Sequence, residues 1–279
     1  MKVRIATYNC KNYFLSPEST SVKPARERRA LARVINTVNA DILCLQEVEN
    51  RSVLDEINQN LSNPYDYCLV ENGNSNRGIN VGIMSRLIFD GQSHKETHLK
   101  GKNKQLLYDY QTERCKATKS LSAVKFQRDL FLTEFNIKGK TLLLFNTHLK
   151  SRRNYQRLKH DADTIRWSEA SMIREILSQY ISKPDCLVLL AGDLNQRNDG
   201  ESIKPLTDWA ELRDPIYEDI EINDPAATTF HSKPKERIDY VLPALNLYDY
   251  YVPGSAKIHK STIARKASDH FPVSIDFEF

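Results

Sequence analysis

The clearest indication of the fold is the segment Asp185-Cys-Leu-Val-Leu-Leu-Ala-Gly-Asp193-Leu-Asn195. Its apolar residues are consecutive, which predicts a strand buried on both faces between other layers. A second stretch, Asp41-Ile-Leu-Cys-Leu-Gln-Glu47, has the same build and also ends on an acidic side chain. Each is preceded by a helical pattern, so the two stretches together indicate a layered arrangement of strands and helices.

Further short runs rich in β-branched and aromatic residues predict additional strands. The predicted strands are Val3 to Tyr8, Ile42 to Leu45, Ile79 to Met84, Leu130 to Phe135, Leu142 to Phe145, Leu187 to Ala191, Ile238 to Leu242 and Val273 to Phe277. Helical patterns cover about 24–38, 53–61 and 154–181. Strands interleaved with helices and then followed by more strands predict helices packed outside two face-to-face sheets.

The composition is typical of a folded protein with a mild basic excess. Hydrophobic residues make up 40% and charged residues 27% of the 279 residues, which excludes a largely disordered chain. The net charge of +4 suits an anionic partner but is equally compatible with an ordinary cytosolic surface. The polar stretch from His94 to Lys125 predicts a long surface excursion, either a solvated loop or a substrate-contacting one.

The five cysteines occur singly, without a C-x-x-C pair, which indicates free buried thiols rather than a disulfide framework. The chain also shows neither the apolar core of a secretory signal nor a run long enough to span a bilayer. These features predict a soluble, cytoplasmic protein without membrane insertion, and no obligate protein partner is evident.

Polar side chains suited to metal and phosphate chemistry follow the apolar strands at their carboxyl ends, where sheet proteins build sites. Glu47 leaves a buried strand, where a carboxylate is costly unless it ligates a cation such as Mg²⁺ or pairs with an arginine. Alternation places Asp193 and Asn195 side by side, where they could hold one water, although both are common turn formers. Asn9 alone is compatible with a turn-forming cap.

Histidines and cations accompany these groups. His148 ends an extended segment and is followed by Lys150 and Arg152, which are candidates for phosphate contact, with a solvated helix start as the alternative for the arginine. Asp239 interrupts an otherwise apolar predicted strand and needs a proton-bearing partner. In Ser-Asp269-His270, a histidine beside an aspartate can be kept positively charged against a phosphate oxygen.

Six motifs, taken in order, span almost the whole chain: Tyr-Asn9, Gln-Glu47, Thr-His148-Leu, Gly-Asp193-Leu-Asn195, Ile-Asp239-Tyr and Ser-Asp269-His270. With them the sequence resembles the endonuclease/exonuclease/phosphatase superfamily. The resemblance implies an α/β (α+β) fold, a four-layered α/β/β/α sandwich of two mixed β-sheets flanked by helices. It also implies a single domain over residues 1–279.

The resemblance further implies a metal ligand and a base. Glu47 would bind Mg²⁺ or Mn²⁺, helped by Asn9 and Asp269. Asp193 and Asn195 would position and deprotonate the attacking water. Phosphoryl transfer depends on positioning and charge neutralisation, which such a set supplies.

The remaining roles implied by the resemblance concern the phosphate. His270, oriented by Asp239, would bind a phosphate oxygen, and His148 would stabilise the charged transition state or the leaving oxygen. Arg77, in a segment seen in microbial members, would contact substrate phosphate, with a salt-bridged loop arginine as the alternative.

These expectations predict a metal-dependent phosphoric ester hydrolase, a nuclease or phosphodiesterase with nucleic acid as its substrate. An alternative is a phosphatase or phospholipase-C-type hydrolase that acts on a phosphorylated lipid head group or a small phosphoester. A catalytically silent binding module ranks last, because every expected catalytic side chain is present.

Overall fold

The computed structural model describes residues 1–17, 21–75, 77–97, 126–153, 162–220, 227–233 and 235–279. The predicted excursion lies outside these residues from position 98 to 125, and so does Cys115. Residues 154–161, the predicted start of the long helix, also lie outside them.

The described residues form strands interleaved with helices, in the order that the apolar runs predict. The strands are β1 (Lys2–Tyr13), β2 (Ile42–Val48), β3 (Tyr67–Glu71), β4 (Asn80–Ser85), β5 (Asp90–Gln92), β6 (Leu130–Ile137), β7 (Lys140–His148), β8 (Cys186–Asp193), β9 (Asp239–Pro243), β10 (Lys257–Ile258) and β11 (Val273–Glu278). The helices are α1 (Ala25–Val38), α2 (Arg51–Gln59), α3 (Ala162–Ile181), α4 (Lys204–Thr207), α5 (Pro215–Asp219), α6 (Leu245–Tyr248) and α7 (Thr262–Ala267).

The strands form two sheets, one in the order β10-β11-β1-β2-β4-β3 and the other in the order β5-β6-β7-β8-β9. Both sheets are mixed, because β1–β2 and β7–β8 are parallel and the other pairs are antiparallel. The sheets face each other through contacts of β1 and β2 with β8. None of the described helices combines the length and the apolar character that a bilayer crossing requires.

Helix α1 covers the outer face of the first sheet, and α3 covers that of the second. In α1, Leu31, Val34, Ile35 and Val38 recur at helical spacing and are buried in the same core as β1 and β2. Asn39 ends the helix in the left-handed conformation, with its N–H donating to Ile35 O. The four predicted layers are therefore present.

A buried polar bridge joins the two sheets between their apolar faces. Gln46 on β2 donates to Oδ1 of Asn146 on β7 at 2.8 Å, and to Thr7 Oγ1 at 2.9 Å. The Asn146 amide donates in turn to Gly82 O at 2.9 Å and to Leu45 O at 3.2 Å. A buried polar network stabilises a fold only when its members are satisfied, so this bridge specifies how the sheets are aligned.

Candidate active site

The pairing of three neighbouring strands brings three predicted residues to one edge of the second sheet. His148 at the end of β7 lies opposite Asp193 at the end of β8. Asp193 in turn lies opposite Asp239, the first residue of β9. Asp239 therefore begins a strand rather than interrupting one, and its carboxylate opens onto the same edge as the other two side chains.

Gly192 permits the close approach of β7 and β8 directly before Asp193. Its φ is +143°, and a Cβ at this position would lie 1.9 Å from the carbonyl oxygen of Thr147. Any larger residue would push the two strands apart where they carry His148 and Asp193.

The Asp193 carboxylate is buried and accepts two well-directed hydrogen bonds. Asn9 Nδ2 donates to Oδ2 at 2.9 Å, and the backbone N–H of Asn195 donates to Oδ1 at 2.8 Å. Burial and the nearby Asp239 carboxylate nevertheless raise the pKa of Asp193 to about 7. A carboxylate that titrates near neutrality is suited to taking a proton from water.

His270 and Asp239 form a buried charged pair. His270 donates from Nδ1 to Asp239 Oδ2 at 2.8 Å, and Thr229 Oγ1 fixes the strand start by accepting from Asp239 N at 3.2 Å. Burial opposes a charge on His270, but Asp239 outweighs it and raises the pKa of His270 to about 10. His270 is therefore positively charged at neutral pH, and its Nε2 lies 3.9 Å from Asp193 Oδ2.

His148 carries the opposite protonation state. Its Nε2 lies 3.5 Å from Asp193 Oδ2 and 3.8 Å from Glu47 Oε1. Burial, together with the positive charges of Arg128 and His270, holds the pKa of His148 well below its usual value. The site thus places one neutral and one charged imidazole around a single carboxylate.

Glu47 reaches this cluster from the first sheet and is held by an unusual turn of β1. Lys11, Asn12 and Glu47 itself have φ values of 52°, 47° and 60°, a left-handed conformation that is rare outside glycine. The turn lets Asn12 N donate to Glu47 Oε2 at 2.8 Å, and the buried Lys23 ammonium donates to Lys11 O at 3.3 Å. Backbone strain of this kind accompanies functional sites.

No salt bridge between Glu47 and an arginine is seen among the described residues; His148 Nε2 lies 3.8 Å from Glu47 Oε1, and Arg128 interacts with Glu47 electrostatically without a direct ion pair. Asn9 does not turn its amide oxygen toward Glu47, because Asn9 Oδ1 accepts from Lys11 N at 2.9 Å. Asp269 is near the cluster, with Oδ1 at 3.9 Å from His270 Nε2. Glu47 on the first sheet thus faces His148 on the second across the space that we call the cleft, whereas the Asn9 side chain serves Asp193.

The side chains also fit a bound cation. Ligand atoms of Asp193, Asp239 and His270 all lie within 4.8 Å of one another. Asp239 Oδ1 is buried without a hydrogen-bond partner among the described residues, which is costly for a carboxylate unless a proton or a cation completes it. Because both ring nitrogens of the positively charged His270 carry protons, its imidazole offers no lone pair to a cation, so carboxylate oxygen atoms are the better ligands here, and oxygen ligands favour hard divalent ions.

The predicted phosphate-binding cations already have protein partners. Lys150 is buried, and its ammonium donates to Ser151 O at 2.7 Å and to Arg153 O at 2.9 Å. Arg152 pairs with Glu236 and also donates to Asn195 O at 3.1 Å. These two side chains hold loops of the cleft in place.

Arg77 is exposed at the mouth of the cleft. It donates to Asn12 Oδ1 at 2.9 Å and forms no ion pair within the described ranges, so the salt-bridged alternative is not observed. Its contact with the left-handed turn brings its positive charge close to Glu47.

The sequence analysis did not identify Arg128, whose side chain binds the backbone at the end of β7. Its guanidinium donates to Leu149 O at 2.6 Å and to His148 O at 3.3 Å. Glu169 on α3 accepts from Lys150 N at 3.1 Å and helps to hold the same loop. Neither residue sits in a motif, and both lie next to other polar residues, so the sequence contains no signal for them.

A basic carboxylate, a charged imidazole and a neutral imidazole at the strand ends of a two-sheet sandwich define a class, the hydrolases of phosphoester bonds. The sequence model of the Endonuclease/Exonuclease/phosphatase family matches residues 6–270, and the chain belongs to this family. The predicted family, fold and enzyme class are therefore confirmed.

Two curated relatives are 5'-tyrosyl-DNA phosphodiesterases. The one from Caenorhabditis elegans is 28% identical over 183 residues, which cover 63% of this chain and 40% of that protein. The one from Caenorhabditis briggsae is 26% identical over 186 residues, which cover 65% of this chain and 42% of that protein. The matched segment thus spans about two fifths of either relative.

Solved structures show the same fold across the chain. TDP2 from C. elegans superposes with a TM-score of 0.66 at 19% identity, covering 100% of this chain and 75% of that one. An endonuclease/exonuclease/phosphatase from Bacteroides vulgatus superposes with a TM-score of 0.66 at 17% identity, covering 100% of this chain and 99% of that one.

Proposed function

We propose that this chain is a phosphodiesterase that cleaves nucleic acid with the help of Mg²⁺ or Mn²⁺, and that residues 1–279 form one catalytic domain. The observation that carries the proposal is the surroundings of Asp193. This carboxylate is oriented by two amide donors, and its Oδ2 lies 3.5 Å from one imidazole and 3.9 Å from the other. Such an arrangement suits hydrolysis by an activated water.

The proposed reaction is a single in-line displacement. Asp193, positioned by Asn195, takes a proton from a water molecule, and the water oxygen forms a bond to phosphorus. The phosphorus–oxygen bond to the leaving group breaks, and the leaving oxygen is protonated from solvent. The products are a phosphomonoester and an alcohol or phenol.

The two histidines stabilise the charge that develops on the phosphate. His270, kept positive by Asp239, binds a non-bridging oxygen, and the neutral His148 donates a hydrogen bond to the same group. A divalent ion held by Glu47, with Asp269 and Asn9 close by, would supply further charge neutralisation. Lys150, Arg152 and Arg77 would add positive potential around the cleft.

The similarity to 5'-tyrosyl-DNA phosphodiesterases supports DNA as the polymer. A phenolic leaving oxygen, whose pKa is about 10, also departs without strong acid assistance, which fits a cleft in which His148 is neutral. The free cysteines at positions 10, 44, 68 and 186 support a cytoplasmic, reducing location.

A substrate panel with a metal screen tests the proposal. The substrates are plasmid DNA, single strands, RNA, a 5'-phosphotyrosyl oligonucleotide, sphingomyelin and inositol phosphates, each with Mg²⁺, Mn²⁺ or Ca²⁺. We expect cleavage of nucleic acid that EDTA abolishes and that Glu47→Gln reduces by about 10²-fold or more. Glu134→Gln, at an exposed position on β6, is the matched control and should retain activity.

Hydrolysis of a lipid head group or an inositol phosphate, with every nucleic acid intact, would reject nucleic acid as the substrate and select the small-phosphoester alternative. Cleavage that survives EDTA would reject the metal requirement.

A further inference from the structure

The outer helices of the first sheet carry a concentrated positive charge. Helices α1 and α7 pack against each other, and their exposed side chains are mostly basic. We call the following exposed residues the basic face: Arg26, Arg29, Arg33, Lys257, Lys260, Arg265 and Lys266.

The charge of the basic face is opposite to that of the rest of the molecule. Residues 21–38 and 257–267 contain nine Lys and Arg and one acidic residue, Glu27. The remaining residues contain 31 Lys and Arg against 35 Asp and Glu, so the net positive charge of the chain resides here. In α1, Arg26, Arg29 and Arg33 follow i, i+3, i+7 spacing and lie on one stripe.

The basic face is continuous with the cleft. Helix α7 leads directly into Ser268, whose hydroxyl donates to Asn9 O at 2.7 Å, and then into Asp269 and His270. Arg265 lies over the ring of Phe271, with its guanidinium carbon 5.1 Å from the ring centroid. A ligand that leaves the cleft over α7 would therefore meet positive charge at once.

We propose that the basic face is an exosite that binds the phosphate backbone of duplex DNA flanking the cleaved bond. This inference rests on the proposed function. The stripe on α1 lies beside a second group of cations, Arg265 and Lys266 on α7 and Lys257 and Lys260 in the segment before it, and a basic face of this breadth matches the two strands of a duplex better than one strand. An anionic membrane is disfavoured because membrane-binding faces interleave large apolar side chains, whereas in residues 21–38 and 257–267, all of them described, the exposed large apolar side chain is Val22.

Neutralising part of the face tests the exosite. The variant Arg29→Gln/Arg33→Gln/Lys266→Gln changes exposed residues outside the catalytic cluster, so its melting temperature should match wild type. We expect the KM for a long duplex to rise about tenfold with kcat unchanged. The slope of log affinity against log salt should fall by about 0.9 for each phosphate that the variant no longer neutralises. Hydrolysis of a chromogenic phosphodiester should not change.

A matched variant controls for total charge. Lys138→Gln/Lys140→Gln/Lys183→Gln removes the same number of charges from exposed positions near the opposite ends of the strands and should behave as wild type. Duplex binding by fluorescence anisotropy in EDTA gives a readout that does not need catalysis. Unchanged duplex affinity and salt slope in the Arg29/Arg33/Lys266 variant would overturn the exosite, even if the enzyme proves to be a nuclease.

Two further results distinguish the exosite from other roles of the basic face. Reduced duplex affinity in that variant would support the exosite even if no substrate of the panel is cleaved. Loss of binding to phosphatidylserine vesicles, with duplex affinity unchanged, would assign the face to a membrane and overturn the proposal.

Discussion

The floor and the rim of the cleft handle charge in different ways. The floor consists of His148, Asp193, Asp239 and His270, and the rim consists of Arg77, Lys150 and Arg152. On the floor the ionisable groups are buried against one another, which sets the pKa values of His148, Asp193 and His270 far from their usual ones. On the rim the cations contact carbonyls, an amide or Glu236. We therefore propose that the floor carries the proton chemistry, whereas Lys150 and Arg152 of the rim hold loops in place.

Asp193→Asn should have the largest effect on activity. The amide keeps the shape and can still accept from Asn195 N, but it cannot take a proton from water, so we expect kcat to fall by about 10⁴-fold. Steady-state kinetics with saturating metal measure this, and Asp185→Asn at the exposed start of the same region is the control. If Asp193→Asn retains more than a tenth of wild-type kcat, Asp193 is not the catalytic base.

Asp239→Asn should reduce kcat by about 10²- to 10³-fold, because it removes the charge that keeps His270 positive.

The same ion pair predicts that the stability of the protein depends on pH. The pKa of His270 is raised in the folded state, so its contribution is fully present below about pH 6.5 and is lost as the pH rises through about 10. In EDTA, the melting temperature of wild type should therefore decline between pH 7 and 10 more steeply than that of Asp239→Asn.

Buried tyrosines and cysteines also weaken folding at high pH, but they are common to both proteins and cancel in that comparison. Equal slopes for wild type and Asp239→Asn would contradict a charged His270.

Gly192→Ala should lower kcat by about 10²-fold, since displacing reacting groups by about 1 Å has an effect of that size. The added Cβ would meet Thr147 O at 1.9 Å and push His148 away from Asp193. Gly139→Ala is the matched control. Gly139 also has a positive φ, +79°, but no atom of the described residues lies within 4 Å of the added Cβ. If both variants lose activity equally, strand separation is not the cause.

Arg77→Gln should have the smallest effect. The side chain is exposed and its charge is screened by solvent, so we expect a rise in KM of about two- to fivefold with kcat unchanged. The same assay at high salt should abolish the difference. A loss of kcat as large as that of Asp193→Asn would place Arg77 on the floor rather than the rim.

The floor was predictable because neighbouring strand ends meet at one edge of a sheet. Consecutive apolar residues identified β8, and the register of β7 and β8 then places His148 beside Asp193. The pattern did not predict β3, β5 or β10. The short edge strand β5 is exposed and includes Gly91, so it carries none of the apolar content that marks a strand.

The partners of the rim were not predictable, because they depend on loops far apart in sequence. Arg152 and Glu236 are 84 residues apart, and nothing in either local pattern relates them. The support of His148 by Arg128 is similar, since a partly buried arginine that donates to carbonyls leaves no periodic signal. Local sequence thus predicts which groups a strand presents, but it does not predict which loop charges neutralise one another.

The amide bridge between Gln46 and Asn146 has a mechanical consequence. Glu47 follows Gln46 on one sheet, and His148 lies two residues after Asn146 on the other, so each of these two proposed catalytic side chains lies close to the bridge. A slip of one residue would displace the sheets by about 3.3 Å, enough to carry Glu47 out of range of His148. The bridge therefore fixes the relative position of the two sheets. The surrounding loops can then vary in sequence while Glu47 and His148 keep their distance from each other.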